Sequence, residues 1–278
     1  MATTATEKQA SGKKLQDVFP VEIYSLPIPK GLFQMRELNI IPDMEFEDRF
    51  VPEVLEVGDE VFLGQEIPDD EVDEWIRKGN LMEFVLSDFK SRFNGQRGLV
   101  IFRDNSLLDE FINRAGLNGF KAAAMTGEQG SAELLDSREK LQNRDLDLVA
   151  GSRLLGRGAD LQADVVYFLG LTRSPQVFWQ AFGRGMRKDP QNPNKVATLI
   201  NVMPRYVLDT RTKRLLQPEE WPLSFRAFMD PGHFAGIENP NKRQLAEPKD
   251  FHVTTGNLKN IRSNEEVEAA IGLYRSKP

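Results

Sequence analysis

Two short apolar runs, each followed by a polar signature that contains glycine and arginine, limit the folds open to this chain more than any other feature of its sequence. The first run covers residues 146–150 and the second covers residues 165–169. Runs of this length and composition are typical of strands that a sheet buries on both faces. Because open α/β sheets place their ligand sites just beyond the carboxyl ends of such strands, the two signatures mark the candidate site.

The two signatures have fixed internal spacings. The first consists of Ser152 and, five residues later, Arg157, Gly158, Ala159 and Asp160, and the second consists of Gln180, Gly183, Arg184 and Arg187. They resemble motifs V and VI of the C-terminal RecA-like domain of superfamily-2 helicases and translocases. In that family a Thr or Ser precedes an Arg-Gly-x-Asp element, and Gln-x-x-Gly-Arg-x-x-Arg follows after the next strand. The resemblance covers roughly residues 98–202.

Apolar runs and helical patterns alternate along this part of the chain. Further strands are predicted at residues 98–102, 120–124 and 196–202, and helices are predicted over residues 106–114 and 131–141. Alternation of strands and helices with short connections is typical of a parallel sheet with helices on both faces. We therefore predict an α/β fold, and the resemblance implies that the sheet is RecA-like.

Composition divides the chain into four segments. Residues 1–14 are small and polar and are predicted to be disordered, and residues 15–95 form an acidic N-terminal segment with a helix near residues 70–92. The RecA-like domain is predicted over residues 96–203. Prolines recur from Pro204 onward and predict an irregular extension over residues 204–278.

Acidic residues are concentrated in the N-terminal third. The first 97 residues carry 11 basic and 20 acidic side chains, against 36 and 42 in the whole chain. Residues 43–74 interleave acidic with apolar residues, which leaves two interpretations open: a packed segment with a negative outer face, or a docking or autoinhibitory surface that occupies a basic groove. No segment is strongly basic, so we expect any nucleic acid to be bound through local donors.

The composition also excludes several classes of site. The chain has no cysteine, and its only histidines are His233 and His252, so neither a thiolate nor a histidine-based metal site is expected. No apolar run approaches the roughly 20 residues of a membrane span, and residues 1–14 lack the apolar core of a signal peptide. We expect an intracellular protein with no metal ligands of its own and no membrane partner.

The resemblance assigns a role to each signature residue. Arg184 and Arg187 would act as arginine fingers, which stabilise the charge on a phosphoryl group during its transfer. The residues expected to line the nucleotide are Gly158, Asp160, Gln180 and Gly183, and those expected to contact nucleic acid are Ser152 and Arg157. The residues by themselves leave plainer alternatives open: surface or ion-paired arginines on a helix, a turn aspartate at position 160 and a capping serine at position 152.

The motifs that hold the nucleotide in the first RecA-like domain of that family do not occur in this sequence. No G-x-x-x-x-G-K-[ST] phosphate loop is present, and Asp73-Glu74 and Asp109-Glu110 fall in predicted helices rather than behind a strand. We therefore expect ATP with Mg²⁺ to be bound mainly by a partner that carries the first RecA-like domain. The chain alone is expected to be inactive.

Two classes of function follow from these expectations. In the first, the chain is the second motor domain of an ATP-dependent helicase or translocase on DNA or RNA, and it supplies Arg184 and Arg187 to a separate first domain. A fragment of a longer enzyme would have the same sequence features. In the second, the chain is a non-catalytic RecA-like binding or regulatory subunit of a larger complex. Retention of both arginines favours the first class, and the lack of a basic face favours the second.

Overall fold

The structure is a computed structural model, and it describes residues 42–63, 65–152, 161–172, 175–185, 187–189, 192–216 and 244–245. The helices and strands in chain order are β1 (Asp43–Val57), α1 (Asp59–Phe62), α2 (Asp69–Lys78), α3 (Leu81–Arg92), β2 (Gly98–Phe102), α4 (Leu108–Leu117), β3 (Ala122–Met125), α5 (Ser131–Gln142), β4 (Leu148–Ser152), β5 (Val165–Phe168), α6 (Pro175–Phe182), β6 (Val196–Asp209), β7 (Arg214–Leu216) and β8 (Gln244–Leu245).

The strands form one eight-stranded sheet in the order β3-β4-β2-β5-β6-β1-β8, with β7 paired to β6. The pairs along this order are parallel, and the pair between β6 and β7 is antiparallel. Strands β2, β4 and β5 are buried at every position, which explains why their sequences are continuous apolar runs rather than alternating ones. The predicted α/β fold with a parallel sheet is confirmed.

Helices cover both faces of the sheet. On one face, α2, α3 and α4 pack against a set of strand side chains that includes Phe102 and Tyr167. On the other face, a smaller cluster joins Ile101 and Phe168 to α5 and α6. Because α6 carries Gln180 and leads into the rest of the second polar signature, the smaller face is the one that positions this part of the candidate site.

Half of the acidic block is a strand of the sheet. Residues 43–57 form β1, which pairs in parallel with β6 from Asp43 opposite Val196 to Val57 opposite Asp209. Its residues Val51, Leu55 and Val57 are buried in the core, and Asp48 is buried where it accepts a hydrogen bond from Asn201 Nδ2 at 3.2 Å. The packed interpretation therefore accounts for residues 43–57.

The helix predicted near residues 70–92 is two helices. The chain breaks at Gly79 and Asn80, between α2 and α3, and Asn80 adopts a left-handed conformation with φ 51°. A Cβ atom at Gly79 would collide with the side chain of Glu53 in β1, so only glycine lets the end of α2 approach the sheet this closely. The helical pattern predicted near residues 70–92 is thus divided into two helices at Gly79 and Asn80, the pair that interrupts its apolar positions.

Regular structure continues past Pro204, where an irregular extension was predicted. Strand β6 runs on to Asp209, and β7 pairs with it. Proline is tolerated in a strand where its nitrogen needs no ladder partner. That condition holds here, because β5 ends opposite Asn201 and the register between β1 and β6 shifts between Val51 and Val54, beside Pro204. One sheet thus contains strands from before residue 95 and from after residue 203, the two positions where composition placed domain boundaries.

One Asp-Glu pair does follow a strand. Asp59 and Glu60 begin α1 directly after β1 ends at Val57. This pair could not be recognised from the sequence because β1 was not predicted as a strand. The carboxylate of Asp59 lies 3.3 Å from Nε of Arg211, so it takes part in an ion pair at this edge of the sheet.

Candidate functional site

Ser152 and the described residues of the second signature lie at opposite edges of the sheet. Ser152 is the last residue of β4 and therefore lies at the carboxyl edge. Helix α6 follows β5 and runs back along the sheet, so the turn after it, of which residues 183–185 and 187 are described, reaches the amino edge near Ala163. The expectation that both signatures stand at the carboxyl ends of strands is wrong for the second one. Arg157, Gly158 and Asp160 lie outside the described residues.

Ser152 is almost completely buried. Its residue is 1 % exposed, and its Oγ atom has no hydrogen-bond partner among the described residues. Buried hydroxyl groups nearly always have a partner, because an unsatisfied polar atom away from water costs about 1–3 kcal/mol. The hydroxyl at the carboxyl end of β4 is thus a donor whose partner is not among those residues.

The turn after α6 lies directly on the sheet. Arg184 and Gly185 close the helix by donating backbone hydrogen bonds to the carbonyls of Ala181, at 3.3 Å, and Phe182, at 2.9 Å. A Cβ atom at Gly185 would lie 2.9 Å from Cδ2 of Leu199 and 3.1 Å from Cγ2 of Val166. Gly185 therefore makes a close approach to the sheet.

The two candidate arginines differ in exposure. Arg184 is 8 % exposed, and burial lowers the pKa of its guanidinium. Arg187 is exposed. Both residues follow the last residue of α6, so neither is a surface arginine on that helix. Gln180 and Gly183 are half-buried in the same stretch, so the structure brings all four residues of the second signature together.

A buried lysine holds the turn in place. Nζ of Lys195 donates hydrogen bonds to the carbonyl oxygens of Ala163 at 2.5 Å, Gly185 at 3.0 Å and Arg187 at 2.9 Å. Ala163 belongs to the residues that lead into β5, so this one side chain joins the turn to the amino edge of the sheet. Burial lowers the pKa of Lys195 from 10.5 to about 8.

Three more charged residues surround this lysine. Arg97 binds Asp164 with two parallel hydrogen bonds of 3.0 and 2.7 Å, and its Nη2 also lies 2.5 Å from Oδ2 of Asp189. Asp164 Oδ1 lies 3.9 Å from Lys195 Nζ. Burial alone would lower the pKa of Arg97, but hydrogen bonds and charge from Asp164 and Asp189 raise it. The cluster contains two cations and two anions, which is how proteins keep buried charges tolerable.

A second basic residue holds the segment that leads into α6. Nη1 of Arg103, the residue after β2, donates a hydrogen bond to the carbonyl of Leu171 at 3.0 Å. Arg103 is buried, and its guanidinium also binds Asp69 and, at 3.4 Å, Glu66. Because both flanks of α6 are tied to the sheet by a cation, the segment that carries the second signature is held at two points.

Sequence reasoning missed most of these supporting residues. The close packing at Gly185 could have been predicted from the sequence, because this glycine stands between the two signature arginines and a small residue there indicates close packing. Lys195 and Asp164 had none, since a charged residue just before an apolar strand is also typical of a solvated strand end. Among the described residues no three acidic or histidine side chains are placed to hold a metal ion. Within the same ranges, no helix is long and apolar enough to cross a bilayer.

Residues 79–189 match the model of the helicase conserved C-terminal domain. The matched segment begins at the break between α2 and α3 and ends at Asp189, so it contains the whole charged cluster except Lys195 together with the second signature. The chain is also similar to UvrABC system protein B from Thermotoga neapolitana, with 23 % identity over 235 residues. That alignment covers 80 % of this chain and 35 % of the relative, so the chain spans about a third of its length.

One solved structure shows the same fold over most of this chain. A fragment of a protein assigned as an HsdR subunit of a type I restriction enzyme from Vibrio vulnificus superposes with a TM-score of 0.51 at 16 % identity. The superposition covers 70 % of this chain and 41 % of that one. A DEAD box protein from Methanococcus jannaschii gives a TM-score of 0.43 at 13 % identity, over 75 % of this chain and 47 % of that one.

Proposed function

We propose that this chain is the second motor domain of an ATP-dependent helicase or translocase, because residues 79–189 match the model of the helicase conserved C-terminal domain. In this role it completes a nucleotide site whose phosphate-binding half belongs to a first RecA-like domain. That first domain is part of another protein or of the same longer protein.

One observation carries the proposal: Arg187 is exposed, while the backbone that bears it is tied to the sheet. The carbonyl of Arg187 accepts a hydrogen bond from Lys195, and Gly185 packs the same turn against β5 and β6. A group that stabilises a phosphoryl transition state must be charged at all times and held in position before the reaction. A guanidinium on a rigid turn meets both requirements.

ATP with Mg²⁺ fits this arrangement as a shared ligand. The metal and most phosphate contacts would come from the first domain. Arg187 would reach the phosphates from this chain, and Gln180, Gly183, Gly158 and Asp160 would complete the nucleotide side. At the opposite edge of the sheet, Ser152 and Arg157 would contact a phosphate of DNA or RNA. Ser152 is 1 % exposed, so its hydroxyl would reach a phosphate only after a rearrangement of its surroundings.

A second candidate function is a non-catalytic RecA-like subunit that binds or regulates a larger complex. The burial of Arg184 favours it, because a guanidinium that is 8 % exposed cannot contact a nucleotide on another domain without a rearrangement. The same burial is compatible with the motor role if Arg184 supports the turn and Arg187 alone reaches the phosphates.

The test is ATP turnover by the complete enzyme, with both RecA-like domains present. We expect Arg187→Ala to lower turnover by roughly 1,000-fold while association of the two domains stays near wild type, because a finger acts mainly on the transition state. Arg187→Lys should rescue poorly, since an ammonium cannot reproduce the planar contact. Arg77→Ala is the matched control, because Arg77 is an exposed arginine of α2 on the other face of the sheet. Equal turnover in all variants would exclude the motor role and leave the binding subunit.

A further inference from the structure

The charged ammonium group of Lys195 has as many N–H donors as there are carbonyl acceptors around it. A charged lysine has three N–H donors, and Nζ of Lys195 has three carbonyl oxygens within 2.5–3.0 Å, those of Ala163, Gly185 and Arg187. The side chain is 2 % exposed, so water does not compete for these donors. Two of the three acceptors belong to the turn with the candidate finger, and the third belongs to the amino edge of the sheet.

Both backbone and side-chain bonds hold the described part of this connection. Beyond Gly185, the backbone bonds within it are short-range turns, such as Asn192 N to Asp189 O at 3.0 Å and Lys195 N to Asn192 O at 3.1 Å. Side chains add long-range bonds, from Lys195 to three carbonyls and from Asp189 to Arg97 at 2.5 Å. The charged cluster thus supplies long-range contacts that position the turn, together with the packing of Gly185 on Leu199 and Val166.

We infer that Lys195 is a positioning residue for the nucleotide site: it fixes the turn of residues 185–187 against the start of β5, and so sets where the guanidinium of Arg187 stands. The inference rests on the proposed function, in which Arg187 is the finger. Misplacing a group by about 1 Å can lower turnover by about 100-fold, so a residue that acts only through the backbone can have a large effect.

The protonation state of Lys195 gives the turn a pH dependence. Burial lowers the pKa of this lysine to about 8, with Asp164 and Asp189 opposing the shift and Arg97 adding to it. A neutral amine has two N–H donors, so one of the three carbonyls loses its partner when the lysine deprotonates. The turn should therefore loosen as the pH rises through about 8. The guanidinium of Arg187 should then be held less firmly in position, and ATP turnover should fall.

The first arm of the experiment uses this chain without ATP. Amide hydrogen exchange of residues 184–189 is compared in wild type, Lys195→Met and Lys195→Arg, with β4 as the internal reference. We expect exchange about tenfold faster or more in Lys195→Met, and a smaller change in Lys195→Arg, which keeps a charged donor. In wild type, the amide resonances of Gly185 and Arg187 should shift with pH around a midpoint near 8, a measurement that needs no variant to fold.

The second arm measures ATP turnover of the complete enzyme. Lys195→Met should lower kcat by about 10- to 100-fold with little change in KM. The wild-type profile should fall above pH 8, and Lys195→Arg should remove that fall. Lys140→Met on α5, an exposed lysine paired with Asp136, is the control and should behave as wild type.

The outcomes separate the inference from the proposed function. If Arg187→Ala lowers turnover strongly and Lys195→Met does not, Lys195 is not a positioning residue and the motor role stands. If exchange at residues 184–189 is unchanged in Lys195→Met and no titration near pH 8 is seen, the inference is also wrong. If Arg187→Ala itself has no effect, the motor role fails, and the role of Lys195 in nucleotide chemistry fails with it.

Discussion

Arg103 ties the carboxyl end of β2 to Leu171, because its Nη1 donates a 3.0 Å hydrogen bond to the carbonyl of that leucine. Leu171 has φ 37°, a left-handed conformation that costs a non-glycine residue about 1–3 kcal/mol and persists only where its surroundings enforce it. The same guanidinium binds Asp69 at the start of α2, so it joins the acidic N-terminal part of the chain to the segment that leads into α6.

Removing this tie should destabilise the protein. We expect Arg103→Met to lower the free energy of unfolding by about 2–3 kcal/mol, because it leaves the Leu171 carbonyl without its donor and Asp69 without its cation. Urea unfolding measures this difference. Arg77→Met is the control, because its ion pair with Glu110 is exposed and should contribute less than about 1 kcal/mol. Equal losses in the two variants would show that the tie to Leu171 contributes nothing.

Glu53 should make stability depend on pH. Burial beside the irregularity of β1 raises its pKa from 4.5 to about 7. Between these two values the folded protein keeps a proton that the unfolded chain has released, so the free energy of unfolding falls as the pH rises. The contribution is complete below pH 4.5 and lost above pH 7, and its size is up to about 3 kcal/mol.

Glu53→Gln should remove this dependence, because an amide does not titrate. The variant should match wild type near pH 4.5 and exceed it at pH 8 by about 2–3 kcal/mol. Urea unfolding at several pH values gives both curves. Parallel curves for the two proteins would mean that Glu53 has an ordinary pKa in the folded state.

Gly185 should not tolerate a side chain. Its added Cβ would stand 2.9 Å from Cδ2 of Leu199, and we expect Gly185→Ala to cost about 1–3 kcal/mol of stability and to displace the turn that bears Arg187. Gly116→Ala on α4 is the matched control, since its Cβ would meet nothing within 4 Å and alanine favours a helix by about 0.5–1 kcal/mol. Thermal unfolding should move in opposite directions for the two variants, and a shift in the same direction would contradict the packing argument.

Removing the acidic strand should unfold the sheet rather than expose a binding surface. Residues 43–57 pair with β6 along almost its whole length, so a chain that starts at Gly58 leaves one side of β6 without a partner. We expect such a truncation to lose its cooperative urea transition. Truncation of residues 1–14, predicted to be disordered, should leave the transition midpoint unchanged. A folded protein with tighter nucleic-acid binding would instead support the autoinhibitory interpretation of the acidic block.

The sequence by itself determined the central strands and the kind of domain. Strands β2, β4 and β5 can be predicted from the sequence because both faces of each are buried. Burial on both faces requires a continuous run of apolar residues, which is visible locally in the sequence. The second signature was readable as a motif because its residues are close together in sequence. The sequence also carries a signal for the close packing of this segment on the sheet, because Gly185 stands between Arg184 and Arg187.

The tertiary structure alone decided the long-range parts. Strand β1 carries acidic residues that resemble a solvated segment, and it is a strand only because β6, about 150 residues later, supplies its hydrogen-bond partners. Lys195 shows no local pattern, and its role exists only once Ala163, Gly185 and Arg187 turn their carbonyls toward one point. Sequence patterns report which surfaces must be buried, whereas the pairing of distant backbone and charged groups depends on which packing buries them together.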